Sequence, residues 1–211
     1  MMSHTVSSGQ TDRQSVEESL EQLLADIRSG KEGAFERFLT LIQGTVLSFG
    51  IKVCGGTADA SDTMQDTLLT AFRSLPETDI RDASALKVWL YKVAKNACLM
   101  IRRKSKFEPK AKLSLEELLP ESPHKMDHAI ADWSNLPVNT VLKNEAVKTV
   151  RKAIRKLPTP YRLALVLRDM EQLSTKETAQ VLNISEETVK IRLHRARLFL
   201  RKELEGSFAR K

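Results

Sequence analysis

From Leu173 to Lys202 the chain reads LSTKETAQVLNISEETVKIRLHRARLFLRK, two short helical patterns on either side of a three-residue break. Ser174 stands three residues before Glu177, so hydroxyl and carboxylate can each satisfy an orphan N–H at a helix start. Ala179, Val181 and Leu182 supply the buried side of this helix. Asn183 follows where the chain must reverse, and Asn tolerates the left-handed backbone that ends a helix. Ser185 then caps a second helix whose first residues, Glu186 and Glu187, suit the positive end of its dipole.

The second helix has two faces. Val189, Leu193, Ala196, Leu200 and Leu204 recur at spacings of three and four and form an inward stripe. Opposite them lie Glu187, Ile191, His194, Arg195, Leu198 and Lys202, flanked by Thr188, Lys190 and Arg201. Arg and Lys on such a face neutralise phosphate and donate to guanine edges, which is what major-groove reading needs. A solvated amphipathic helix would also be basic, but the capped first helix, tight turn and basic second helix together favour a helix-turn-helix that binds DNA.

The 211 residues suffice for one or two domains, and 41% apolar with 29% charged residues describe a globular, soluble chain. The net charge of +7 implies an anionic partner without separating DNA, RNA and membrane surface. Cys54 and Cys98 each fall inside an apolar helical pattern without a CxxC neighbour, and are expected as buried thiols, with a disulfide or redox switch as the alternative. The N-terminus lacks a signal-type apolar core, and contiguous apolar runs such as Leu163 to Leu167 are too short for a bilayer, so a cytoplasmic location without membrane insertion is expected. No P-loop, HExxH, paired-Cys motif or nucleophile elbow is present. A non-enzymatic protein with no metal or cofactor is expected.

Residues 1–14 are polar and Ser-rich and are expected to form a disordered arm. Ser15 and Glu18 make a capping box for a first helix ended by Gly30, and a second begins near Lys31 and stops at Gly55 and Gly56. A third, from about Ala58 to Ser74, is expected to turn Met64, Leu68, Ala71 and Phe72 inward. Its outer side shows Asp59, Asp62, Gln65 and Asp66, either an ordinary solvated face helped by the dipole or a docking face for a basic partner. After a polar loop, Glu77 to Ser84, a fourth helix from Ser84 to Lys104 buries Leu86, Trp89, Leu90, Val93, Ala97 and Ile101. Its other side carries Lys87, Tyr91, Lys92, Lys95 and Asn96, a basic, aromatic and amide mixture suited to nucleic acid. Tyr91 as a core-edge residue is the competing assignment. Residues 105–139, interrupted by prolines and partly acidic, form a linker, with Trp133 free to pack on a domain or a partner. Helix resumes near Thr140, stops at Pro158, and is followed by another from Tyr161 to Met170 that braces the helix-turn-helix. The fold class is all-α: two helical domains, 15–104 and 140–205, joined by a flexible linker.

At this point the chain resembles a bacterial RNA polymerase sigma factor of the extracytoplasmic-function type. The resemblance rests on DASDTMQDTLLTAF from Asp59, WLYKVAKNA from Trp89, and LPTPYRLALVLRDMEQLSTKETAQVLNISEETVKIRLHRAR from Leu157. It implies that residues 15–104 are a sigma region 2 domain and 140–205 a sigma region 4 domain. It also implies that Asp62, Gln65 and Asp66 contact the clamp helices of the polymerase largest subunit. The loop residues Asp79, Arg81 and Asp82, with Lys87, Tyr91, Lys92, Lys95 and Asn96, would then read and open the promoter minus-10 element. In the second domain, Lys190, Ile191, His194 and Arg195 would meet base edges of the minus-35 element. Ser185, Thr188 and Arg192 would hold phosphate or buttress the helix, and the domain's other side would meet the polymerase flap. The acidic linker would follow the RNA exit path, and an anti-sigma factor would cover the polymerase-docking surfaces. Asn183 and Ile191 depart from the family pattern, which commonly has Gly and a small polar residue there. The alternative is a stand-alone helix-turn-helix regulator that binds duplex operator as a dimer.

Overall fold

A computed structural model describes residues 20–80, 82–104 and 140–208, and all regular elements among them are helical. The expected arm 1–14, the Ser15–Glu18 capping box, Arg81, the linker 105–139 and Trp133 lie outside the described residues. The helices form two compact units, one centred on α1–α4 and the other on α5–α8. The first holds α1 (residues 20–28), α2 (Ala34–Cys54), α3 (Thr57–Ser74) and α4 (Ala83–Lys104). The second holds α5 (Thr140–Lys156), α6 (Thr159–Leu165), α7 (Thr175–Leu182) and α8 (Glu186–Phe208).

The centre of the first unit is α2. Phe38, Ile42, Val46, Phe49 and Val53 recur at three- and four-residue spacing and are buried. Contiguous runs understated this helix, which by length and composition alone is apolar enough to cross a bilayer. Its apolar stripe is instead the core of a helical unit. Gly55, in the left-handed region at φ 89°, ends it.

The inner row of α3 differs from expectation. Ala60, Thr63, Thr67 and Ala71 are buried, Met64 and Leu68 are half-buried, and Phe72 is 61% exposed with its ring edge-on to Phe35 at 5.2 Å. Small side chains occupy the row because α3 crosses α2 closely. A Cβ added at Gly50 would stand 3.0 Å from the Ala60 Cα and 3.1 Å from its Cβ. The two buried hydroxyls return to their own helix, Thr63 donating to the Asp59 carbonyl at 2.7 Å and Thr67 to the Thr63 carbonyl at 2.6 Å. Larger residues therefore ride at the edges of the crossing.

α4 starts where two carboxylates meet its free N–H groups. Asp82 Oδ1 accepts from the Ala85 N–H at 2.7 Å and Glu21 Oε1 from the Ala83 N–H at 3.2 Å. The first is a local cap; the second ties α1 to the start of α4. Farther along, Cys98 is bonded to Cys54 at the end of α2, with Cα atoms 6.0 Å apart. The expectation of two buried thiols is thus corrected. α2 ends beside the C-terminal half of α4, a proximity that residues 44 apart do not announce.

In the second unit, Ala153 and Ile154 of α5, Leu157 just past its end, Leu165 of α6 and Leu193, Ala196, Phe199, Leu200 and Leu204 of α8 form one core. Pro158 ends α5, and the carbonyls it leaves are taken up by an unexpected group. Arg162, only 6% exposed, donates through Nη2 to the Leu157 carbonyl at 2.8 Å and also to that of Arg155. The expected helix from Tyr161 to Met170 is α6 followed by a π-helical turn from Val166 to Met170. Glu171 N–H reaches back to the Val166 carbonyl at 2.9 Å, so the helix loosens by one residue per turn.

Candidate nucleic-acid interface

α7 and α8 are built by the caps their sequence contains. Ser174 N–H donates to Glu177 Oε2 at 2.6 Å and Glu177 N–H to Ser174 Oγ at 3.1 Å, a reciprocal capping box. Asn183 adopts φ 55°, and the Ile184 N–H donates to the Ala179 carbonyl at 3.1 Å, the six-to-one closure of a Schellman turn. The Thr188 N–H then donates to Ser185 Oγ at 3.1 Å, and the two hydroxyls lie 2.8 Å apart. Ser185 and Thr188 are accordingly committed to starting α8.

The predicted stripe of α8 is buried in full: Val189, Leu193, Ala196, Leu200 and Leu204. Phe199, outside that stripe, is buried with them. Lys190 is exposed, and Ile191, His194 and Arg195 are half-buried on the same side, with Arg192 at its edge. A bidentate ion pair sets the helix against the turn before α7. Arg197 Nε and Nη2 donate to Asp169 Oδ2 and Oδ1 at 2.9 and 2.6 Å. The Asp169 carboxylate raises the Arg197 pKa above its usual value despite partial burial. Nothing in the local pattern pointed to this pair, since the π-helical turn determines where Asp169 lies.

One buried group in α7 works against stability. Thr178 is fully buried, and its hydroxyl has no hydrogen-bond partner among the described residues. Thr178→Val keeps the β-branched shape and removes that polar atom, so it should stabilise the second unit by about 1 kcal/mol. Chemical denaturation checks this, and an unchanged or lower midpoint would contradict it.

In the first unit, Asp62, Gln65 and Asp66 are exposed along one side of α3. Leu69, at 52% exposure, continues that side one turn on, a mixed acidic and apolar strip. On α4, Lys92 and Asn96 are exposed and continue into Met100 and Arg103 at four- and three-residue steps, while Lys87 and Lys95 are half-buried. Tyr91 departs from its expected place on this side. It is 4% exposed and its ring stands edge-on to Phe49 at 5.2 Å. One residue from Lys92, it points about 100° away around the helix, which carries its ring into the core and out of reach of a base. Asp79 is exposed, and Asp82 is occupied as the cap of α4.

Two charged helix faces on separate units can be set beside known proteins. Residues 34–108 match the Sigma-70 region 2 family and residues 148–200 the Sigma-70, region 4 family. The chain is 30% identical over 189 residues to the ECF RNA polymerase sigma factor SigW of Bacillus subtilis, spanning 90% of this chain and 98% of that one. The chain belongs to the ECF family of RNA polymerase sigma factors. The RNA polymerase sigma-H factor of Pseudomonas aeruginosa is 28% identical over 190 residues, covering 90% of this sigma factor and 95% of its own length. Two solved structures share the fold. CnrH, in complex with the cytosolic domain of CnrY, superposes with a TM-score of 0.57 at 23% identity, over 88% of this sigma factor and 97% of that chain. RpoE of Bartonella quintana, in complex with the anti-sigma factor NepR, gives 0.58 at 22% identity, over 82% and 98%. This sigma factor is therefore a transcription initiation factor, and its α7–α8 helix-turn-helix belongs to region 4.

Proposed function

We propose that the first unit, residues 15–104 with the first helical stretch included, docks on core RNA polymerase through Asp62, Gln65 and Asp66 of α3. The same unit grips the promoter minus-10 element through the Lys92 and Asn96 side of α4, with Lys87, Lys95 and Asp79 assisting and Arg81, from the sequence, assigned to the same task. The second unit, residues 140–205, reads the minus-35 element through Lys190, Ile191, His194 and Arg195, with Arg192 on phosphate. Its other side meets the polymerase flap, and residues 105–139 connect the two grips. The chain works in the cytoplasm, contributes recognition and opening while the polymerase supplies catalysis, and is held inactive by an anti-sigma factor on its polymerase-docking surfaces. One observation carries this assignment: an acidic side chain row on α3 and a basic row on α8 are displayed on different compact units, so one can face protein while the other faces DNA.

Run-off transcription with core polymerase on the protein's own upstream region tests it. Asp66→Arg reverses charge on the α3 row and should abolish most core binding, measured by gel filtration, with the fold intact by circular dichroism. Arg195→Ala should spare core binding and lose about 1 to 3 kcal/mol of promoter discrimination. If Asp66→Arg binds core normally and Arg195→Ala uses the promoter normally, both face assignments fall.

A further inference from the structure

Both cysteines of the chain lie together in the first unit, where the end of α2 meets α4. Cys54 is the last residue of α2 and half-buried, while Cys98 lies within α4 and is wholly buried. Their Cα separation of 6.0 Å falls in the range that a disulfide spans without backbone movement, and the sulfurs are bonded. The same region also has a place for the open pair. The Thr63 hydroxyl is 3.3 Å from the Cys54 sulfur and gives its single proton to the Asp59 carbonyl at 2.7 Å. Its lone pairs can then accept from a Cys54 S–H. Arg102, one turn past Cys98, donates to the Val53 carbonyl at 3.2 Å, so the end of α2 keeps a tie to α4 without the covalent one.

We infer that Cys54 and Cys98 form a site of reversible thiol–disulfide exchange whose co-reactants are small-molecule disulfides and dithiols, and whose state sets the stability of the first unit. Exchange starts at Cys54, because it is the member of the pair that reaches solvent. Its thiolate, having released a proton, attacks one sulfur of the small disulfide; that S–S bond breaks, a mixed disulfide forms and one thiolate leaves. The Cys98 thiolate then attacks the Cys54 sulfur, the internal bond closes and the second small thiolate departs. Two electrons and two protons have moved from the protein to two small thiols. A dithiol reverses the sequence, attacking first at Cys54. Because the bond joins residues 44 apart, closing it restricts the unfolded chain and favours the folded unit. That this bears on promoter opening rests on the role proposed above for α4.

The full chain is equilibrated under native conditions with dithiothreitol or with oxidised glutathione, labelled with a polyethylene-glycol maleimide after denaturation, and melted by circular dichroism. Two adducts are expected after dithiothreitol and none after glutathione, with a melting midpoint several degrees higher for the oxidised chain. Cys54→Ser should carry one adduct and melt at one temperature in both conditions, and Cys54→Ala with Cys98→Ala should carry none and behave likewise. A bond that resists native dithiothreitol, a reduced folded chain that does not re-form it, or a midpoint indifferent to redox state would overturn the inference. Run-off transcription on both preparations keeps the two questions apart. Absence of transcript in either state counts against the promoter assignment, while adduct counts and midpoints decide the exchange site.

Discussion

Gly50→Leu is expected to lower the stability of the first unit by about 3 kcal/mol, the largest loss of any single substitution considered for it. In an isolated helix the change would help, since leucine exceeds glycine in helix propensity by about 0.8 kcal/mol. Tertiary contact reverses the sign. The first carbon of any side chain at this position would stand 3.0 Å from the Ala60 Cα, 3.1 Å from its Cβ and 3.2 Å from its carbonyl oxygen. Two of those atoms are backbone, so no rotamer change relieves the clash, and α3 must move as a body. Leucine adds three further carbons in the same space. Chemical denaturation followed by circular dichroism should show the first unit melting early, with the second unit unaffected. Gly50→Ala should show a much smaller change, because its propensity gain offsets part of the strain. If Gly50→Leu unfolds at the denaturant concentration of the parent chain, the α2–α3 crossing is looser than the structure has it. The displacement of α3 should also weaken core polymerase binding, since the proposed docking row belongs to that helix.

Arg162→Leu should cost the second unit about 2 kcal/mol, despite replacing a charged residue in a buried position with an apolar one. The guanidinium closes the end of α5 by donating to the carbonyls of Arg155 and Leu157, where Pro158 prevents the helix from continuing. Leucine would deprive the buried Leu157 carbonyl and the Arg155 carbonyl of this donor, and would remove a cation from the negative end of the helix dipole. Leu157, on the same turn, packs into the core that holds α8. Loss at this position should therefore reduce promoter use through the recognition helix as well as stability. Arg162→Lys should recover only part, since both bonds come from the one Nη2 nitrogen that the rigid guanidinium plane holds in place, whereas an ammonium ends a flexible stem. Thermal unfolding of the three proteins checks this ordering, and equal midpoints for Arg162→Leu and the parent chain would refute the capping role.

Where sequence and structure agree, the relation is short in range. The Ser174–Glu177 box, the left-handed Asn183, the Ser185 cap and the five-residue stripe of α8 all concern residues three or four positions apart. Such residues meet on one helix whatever the rest of the chain does. Disagreement begins where a helix must choose which side to turn toward a neighbour. Tyr91 follows the basic row in sequence but packs on Phe49, because the core side of α4 is decided by α2. Phe72 reads as core by hydrophobicity, yet the crossing at Gly50 and Ala60 admits only small residues, so the threonines go in and the phenylalanine stays at the rim.

The candidate site divides in the same way. Lys190, Ile191, His194 and Arg195 share a side because the helical period places them there, and Asp62, Gln65 and Asp66 do so for the same reason. The Arg197–Asp169 clamp spans 28 residues and depends on a π-helical turn that no local pattern announced. Sequence alone determined the helices, the caps of α7 and α8 and the helix-turn-helix, because each follows from backbone hydrogen bonding within a few residues. Only the tertiary structure decided the Cys54–Cys98 bond, the burial of Tyr91 and Arg162 and the glycine crossing, because these depend on which distant surfaces meet at van der Waals distance.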